Sequence, residues 1–274
     1  MVQEYVLAAT PEEAAELIAG DPEAVVMGGG TTLMPKATLG ELNGRRVIGL
    51  ARAGLDYVER NGATRIGAMT PLRALGEIGD VPGLAEAARS IGSWPLRVSA
   101  TVGGNLLAPP PYGDLAPVLL ALDAEIRVAG SGGERTAPLA EAIEAGPAGP
   151  GELLLEVGIP AAAGSVSYRR CARRELNAPP IVTVAVRVWA DGDAIVEARV
   201  AIGAVGPRPL RVGGAEAALS GSTGDAGAID AAVAAGAAAV EAVDDAVASA
   251  WYRRRMTELH LRRAIEAAVA AERG

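Results

Sequence analysis

Apolar and polar positions follow two different rhythms along this chain, and the change between them suggests where it divides. Near the start, Thr10-Pro11-Glu12-Glu13 has the makings of a helix N-terminus: Thr as N-cap, Pro in the first turn and Glu closing a capping box. The pattern predicts a helix to about Ala19, stopped by Gly20. Residues 24–27 read as a short buried strand that runs straight into Gly28-Gly29-Gly30-Thr31-Thr32-Leu33, and residues 46–50 as a second strand. Residues 57–68 predict a hairpin about Asn61-Gly62. Thr70-Pro71 and Val81-Pro82 each introduce a helix, the second ending near Ile91. Residues 99–114 look irregular and hold a second glycine pair. A helix over 115–122, strands over 125–128 and 153–159, and a turn at Ser131-Gly132-Gly133-Glu134 follow.

The pattern is weakest at Ala161-Ala162-Ala163-Gly164, and beyond it the grammar changes. Strands are predicted near 166–171, 181–189 and 195–204, with a turn at Asp191-Gly192-Asp193, then helices near 226–242 and 247–271. The last helix carries Leu261, Ile265 and Val269 on one face, and Asp244-Asp245 suits the positive end of its dipole. Strands and helices mix without a regular β–α–β period, so the expected fold class is α+β and not a doubly wound sheet. The expected domains are 1–163, with subdomains of about 1–52 and 53–163, and 164–274.

Composition narrows the function. Half of the 274 residues are hydrophobic, enough to bury a core without disulfides or metal. A formal charge of -8 argues against a nucleic-acid binder, which needs a basic face. Lys36 is the only lysine, so arginine must supply most side-chain contacts to anions. With Cys171 as sole cysteine and His260 as sole histidine, neither an intrachain disulfide, an iron–sulfur ligand set nor a histidine-rich metal site can be built. There is no run of ~20 apolar residues and no signal-like start, which predicts a soluble cytoplasmic protein without a transmembrane segment.

The chemistry concentrates in Gly28-Gly29-Gly30-Thr31-Thr32 and Thr101-Val102-Gly103-Gly104-Asn105. Consecutive glycines let successive backbone N–H groups converge on an anion, with nearby hydroxyls and the Asn105 amide as further donors. A Gly-Gly pair is more often a plain turn, and neither a P-loop nor a GxGxxG is present. The residues alone therefore support only phosphate-binding loops. Asp114 sits where a helix N-cap belongs. Trp94 and Tyr112 flank the second turn and read as packing residues, with stacking on a ring as the alternative. Cys171 reads as a buried small hydrophobe and His260 as a surface or interface residue. Arg253-Arg254-Arg255 reads as a solvated face, with a subunit contact as the alternative.

Residues 28–35, GGGTTLMP, resemble the AGGxSLxP turn of the FAD-binding medium subunits of the carbon monoxide dehydrogenase and xanthine dehydrogenase (molybdenum hydroxylase) family. Arg97 followed by Ala100-Thr101-Val102-Gly103-Gly104-Asn105 is similar to that family's second glycine segment, and Gly113-Asp114-Leu115-Ala116-Pro117 to the step after it. Tyr252-Arg253 through Leu261-Arg262-Arg263-Ala264 resembles the signature of its last helix. The resemblance covers essentially the whole chain. It implies an FAD-binding region of two α+β subdomains, like that of vanillyl-alcohol-oxidase (PCMH) folds, followed by an antiparallel sheet-plus-helices domain. It also implies that both glycine turns wrap the FAD diphosphate and that Asp114 contacts the cofactor. With lysine scarce, Arg170, Arg173 or Arg174 are the candidates beside the flavin ring, and Arg174 is assigned to the cofactor. Pro179-Pro180 departs from the family pattern.

On this reading no residue is catalytic in its own right. The chain is an electron-transfer subunit that carries electrons from an iron–sulfur small subunit through FAD to an external acceptor, while a large subunit holds the molybdenum cofactor. The competing readings are a standalone FAD-dependent oxidase or reductase and a flavin-less scaffold subunit.

Overall fold

A computed structural model describes residues 2–161 and 163–274; Met1 and Ala162, the latter within the stretch where the boundary is expected, lie outside the described residues. The chain forms two compact units, each discontinuous in sequence. The first contains residues 1–75, 93–108 and 124–160, and the second residues 76–92, 109–123 and 161–274.

In the first unit, β1 (Glu4–Leu7), α1 (Pro11–Gly20), β2 (Val25–Met27), α2 (Leu33–Thr38) and β3 (Arg46–Gly49) come first. Then follow β4 (Val58–Asn61), β5 (Ala63–Gly67), α3 (Leu72–Leu75), α5 (Trp94–Ser99), α6 (Val102–Leu106), β6 (Glu125–Gly130), β7 (Gly133–Pro138), α8 (Leu139–Ala145) and β8 (Leu153–Ile159). A three-stranded parallel sheet has the order β1-β3-β2, and a five-stranded sheet the order β4-β5-β8-β6-β7.

Local chemistry explains the element ends. The Thr10 hydroxyl accepts from the Glu13 backbone N–H at 3.1 Å, and the Glu13 carboxylate accepts from Ala9 N–H at 2.7 Å. The capping box thus closes one residue earlier than expected. Gly20 lies inside the helix and Asp21 caps it, because no left-handed turn is needed there. Gly62, at φ +82, turns the β4–β5 hairpin. Ala14 and Ile18 of α1 pack with Ile48, Leu153 and Leu155, which joins the helix to both sheets.

The second unit contains α4 (Leu84–Ser90), α7 (Leu115–Ala121), β9 (Ser165–Ala172), β10 (Pro180–Asp191), β11 (Ala194–Gly203), β12 (Leu210–Arg211), α9 (Gly213–Leu219), α10 (Ala226–Ala239) and α11 (Ala250–Arg273). Its sheet is antiparallel, in the order β12-β11-β10-β9, so β9 is an edge strand. Period-two alternation sorts the faces. Val182, Val184, Val186 and Val188 share one core with Leu261, Ile265, Ala268 and Val269 of α11. Thr183 and Gly203 face Pro117 of α7 on the other side. No described helix is long and apolar enough to cross a membrane.

Several expectations are corrected. Residues 99–114 are not wholly irregular: Thr101 caps the short helix α6, which takes in the second glycine pair. The strand β7 and helices α8 and α9 carry too weak a pattern to be seen in sequence. The last helix starts at Ala250, behind a Ser249 cap, a little later than expected; the Asp244 carboxylate accepts from Ala250 N–H at 2.6 Å, at the positive end of the dipole as expected, while Asp245 accepts from Val247 N–H and Ala248 N–H before it. Arg253, expected on a solvated face, is fully buried. Its guanidinium donates to the carbonyls of Ile181 (2.7 Å) and Ala204 (2.5 Å) and forks onto both Asp245 oxygens. One side chain therefore ties the start of β10, the end of β11 and the loop before α11 together.

The first unit has its own polar tie. The largely buried Glu156 accepts from the Tyr57 hydroxyl at 2.7 Å and from Arg65 at 3.0 Å. Burial pushes its carboxyl up, but the bonds from Arg65 and Tyr57, with the nearby Arg127 charge, outweigh this and hold it below the ordinary carboxylate value. Its stabilisation is therefore present above about pH 4.3 and lost as pH falls through the depressed value. Glu156→Gln is expected to lower stability by about 1–3 kcal/mol at neutral pH and to flatten the acid limb of the unfolding curve. Thermal melts from pH 3 to 7 check this, and an unchanged acid limb would contradict it. Arg253→Met, which strands Asp245 and two carbonyls, is expected to cost about 3–5 kcal/mol in denaturant unfolding; a loss under 1 kcal/mol would show that the tie contributes little.

Candidate functional site

The first glycine turn leaves the carboxyl end of β2 and enters α2, a strand–turn–helix step at the rim of the parallel sheet. Gly30 adopts φ +72, a conformation open to glycine at little cost. Met34 N–H donates back to the Gly30 carbonyl at 2.8 Å and starts the helix. Among the described residues, no hydrogen bond engages the backbone N–H groups of Gly29, Gly30, Thr31, Thr32 and Leu33. The Thr32 side chain does not cap α2, and Thr31 and Thr32 are exposed. An uncapped helix start preceded by glycines leaves a row of donors without a protein partner.

The second turn is stitched down. Val102 N–H donates to the Thr70 carbonyl (3.0 Å), Gly103 N–H to Ala68 (2.9 Å) and Asn105 N–H to Thr101 (2.9 Å). Gly104 N–H is taken by the Thr101 hydroxyl at 3.1 Å. All four backbone donors from Val102 to Asn105 thus have protein partners. Gly103 is needed for a different reason: a Cβ there would lie 3.0 Å from the Ala68 carbonyl oxygen. Gly104 is exposed, and a Cβ on it would meet only the Thr101 hydroxyl.

The fold brings the two turns into contact. A Cβ on Gly29 would fall 1.7 Å from the Ser99 carbonyl oxygen, and one on Gly28 would fall 3.0 Å from the Thr101 hydroxyl. Gly28, Gly29, Gly30, Thr31, Thr32, Leu33, Thr101, Gly103, Gly104 and Asn105 therefore occupy one region of the first unit. Lys36, the lone lysine, lies one turn along α2 and is half-buried. Trp94 is 63% exposed at the start of α5, so it is not a core residue.

Asp114 and Arg174 belong to the second unit. Asp114 stands at the N-cap of α7 but makes no side-chain cap. It is buried and accepts from Arg170 at 2.7 Å, while Arg170 also donates to the Ala178 carbonyl at 2.5 Å. Burial pushes the Asp114 carboxyl up, against the opposing pull of Arg170. Arg173 and Arg174 are exposed, and Arg174 donates to the Asn177 carbonyl at 3.0 Å. Arg170 was named in sequence only as one of three candidate cations; its pairing with Asp114 spans 56 positions and no local signal announces it.

Cys171 is half-buried against the core of the second unit, and burial pushes its thiol up, so it is a poor nucleophile. Tyr112 is exposed. Among the described residues no group of His, Cys, Asp and Glu can hold a metal ion.

Comparison with known proteins agrees with this arrangement. Residues 1–162 match the model of the FAD binding domain in molybdopterin dehydrogenase, and residues 167–268 that of the CO dehydrogenase flavoprotein C-terminal domain. The nicotine 6-hydroxylase medium subunit of Paenarthrobacter nicotinovorans is 29% identical over 95% of each chain. The glyceraldehyde dehydrogenase medium chain of Sulfolobus acidocaldarius is 26% identical over 93% of this chain and 94% of its own. A chain of carbon monoxide dehydrogenase from Hydrogenophaga pseudoflava, in a structure lacking the Mo-pyranopterin moiety of the molybdenum cofactor, superposes with a TM-score of 0.91, at 28% identity over 98% of each chain. The α+β fold is thus that of an FAD-binding domain followed by an antiparallel sheet domain. The chain belongs to the FAD-binding medium-subunit family of the molybdenum hydroxylases, the flavin subunits of carbon monoxide and xanthine dehydrogenase-type oxidoreductases.

Proposed function

We propose that the chain holds FAD by its diphosphate at the first glycine turn and passes electrons from partner iron–sulfur clusters to an external acceptor. The observation that carries this reading is the row of unpartnered N–H groups from Gly29 to Leu33. Such donors suit a diphosphate because they point the right way without reorganising and leave no cation to be desolvated. Thr31 and Thr32 add hydroxyls at the same rim. The second turn serves mainly by fixing the first, through Ser99 and Thr101, and it presents the exposed Gly104.

The bound flavin supplies the conversion between single-electron and paired-electron transfer. The protein's own part is binding, orientation and local charge. Asp114 and Arg174 are kept as proposed cofactor residues on the strength of the sequence resemblance. Asp114 is held in place by Arg170. The proposed partners are an iron–sulfur small subunit and a large subunit with the molybdenum cofactor, in a cytoplasmic complex. The proposed domain division is 1–163 for FAD binding and 164–274 for the C-terminal domain.

Thr32→Asp separates cofactor binding from structure. An Asp at an N-cap stabilises a helix, so the melting temperature is expected to hold or rise. The same carboxylate repels a diphosphate, so FAD retention is expected to fall at least about tenfold, which is about 1.4 kcal/mol. Visible absorbance after gel filtration reads the retention, and full yellow colour in a stable variant would contradict the site. A second test concerns the ring end. Replacing Arg170, Arg173 and Arg174 singly with Ala should lower the flavin midpoint potential in one case, since a nearby cation favours the reduced, more negative ring. Three unchanged potentials would remove these arginines from the ring's surroundings.

A further inference from the structure

The second unit contains a cleft of about 560 Å³, lined in part by Arg170 and Arg174 but otherwise by residues to which the proposed electron transfer gives no role. That is within the usual range for small-molecule sites, about 300–1,000 Å³. The cleft wraps the outer edge of β9. Alternation along this strand puts Tyr168 and Arg170 on the α4 and α7 side, and Arg169 and Cys171 on the α11 side. Arg89 and Glu86 line it from α4, Arg174 and Glu175 from the following loop, and His260 and Arg263 from α11.

The charge there is unbalanced. Of the arginines lining the cleft, Arg170 is the one with a carboxylate at ion-pair distance among the described residues, namely Asp114. Arg89 and Arg174 donate to the carbonyls of Gly76 and Asn177, and the only carboxylates lining the cleft with Arg89, Arg169, Arg174 and Arg263 are Glu86 and Glu175, in a chain whose net charge is -8. His260 Nδ1 has no hydrogen-bond partner among the described residues. Burial, then the Arg263 and Arg169 charges, push its imidazole down. Arginines on an edge strand often serve only to discourage strand addition. That accounts for Arg169, but not for Arg263 and His260 arriving from α11 or Arg89 from α4.

We propose that this cleft binds a small multivalent oxyanion, a phosphate- or diphosphate-bearing molecule, through Arg169 and Arg263, with His260 and Arg89 as further donors. Guanidinium forks match phosphate oxygens in pairs, and a bound anion offsets the repulsion that the cleft now stores. The anion also favours protonation of His260, against the pull of Arg263, Arg169, Arg89 and Arg174 and with that of Glu86 and Glu175. Affinity should therefore rise as pH falls.

The single histidine makes the test direct. The His260 imidazole resonance is followed by NMR in FAD-saturated protein, whose own diphosphate site is filled, during titration with inorganic pyrophosphate. The expected result is a saturable shift and a higher imidazole titration midpoint. Arg169→Gln and Arg263→Gln, both at exposed positions, should each weaken binding about tenfold. Their FAD absorbance should stay at the wild-type level, which keeps this result separate from that of the flavin site. No saturable shift in the millimolar range, or equal affinity in wild type and both variants, would overturn the proposal. So would a His260 resonance that ignores pyrophosphate and moves only on assembly with partner subunits, which would assign the cleft to a protein contact.

Discussion

The structure of the candidate site depends on one close approach, that of Gly29 to the Ser99 carbonyl. No side chain fits between them, since a Cβ would sit 1.7 Å from the oxygen. This contact docks the strand–turn–helix step of the parallel sheet onto the segment that leads into α6. With the second turn pinned to residues 68–72 by backbone hydrogen bonds, the first turn has a fixed support and its free N–H groups hold one direction. Donors fixed before a ligand arrives lose little entropy when it binds. The glycines thus do two jobs that sequence cannot separate: some leave room for backbone packing and others leave donors without a protein partner.

The second unit uses a different device. Its sheet buries an arginine where a hydrophobic residue would do, and Arg253 links three segments distant in sequence through carbonyl and carboxylate contacts. Around Asp123, which accepts from Arg187, Arg199 and Arg211, a second network fixes the other face of the same sheet. In a chain with a single lysine, these arginines take the structural roles for which forked, planar donors are suited. The arginines around the β9 edge are the contrast, because most of them have no carboxylate partner.

Much of the fold was legible where the pattern was strong. The Thr10 cap, the Asn61-Gly62 hairpin, the three long strands β9, β10 and β11, and the apolar face of α11 all follow from local chemistry. The short elements β7, α8 and α9 were not legible, because each gains its stability from tertiary packing and not from its own period. At the site, the glycine clusters and their order were readable and carried the family assignment. Their division of labour was not. Whether an N–H lacks a protein partner or meets the Ala68 carbonyl depends on pairing across more than 30 positions, which no motif records. Likewise the three arginines 253–255 look alike in sequence, and only the path of β10 and β11 decides that the first is buried.

The central claim is that the free donors of the first turn, and not the bonded donors of the second, take up the cofactor diphosphate. Amide hydrogen exchange by NMR, with and without FAD, tests it most directly. Gly29, Gly30, Thr31, Thr32 and Leu33 should exchange fast in the free protein and become strongly protected with FAD, while Gly103 and Gly104 should be slow in both states. Unprotected Gly29–Leu33 amides in the FAD-bound protein, or protection appearing at Gly103 and Gly104 instead, would contradict it.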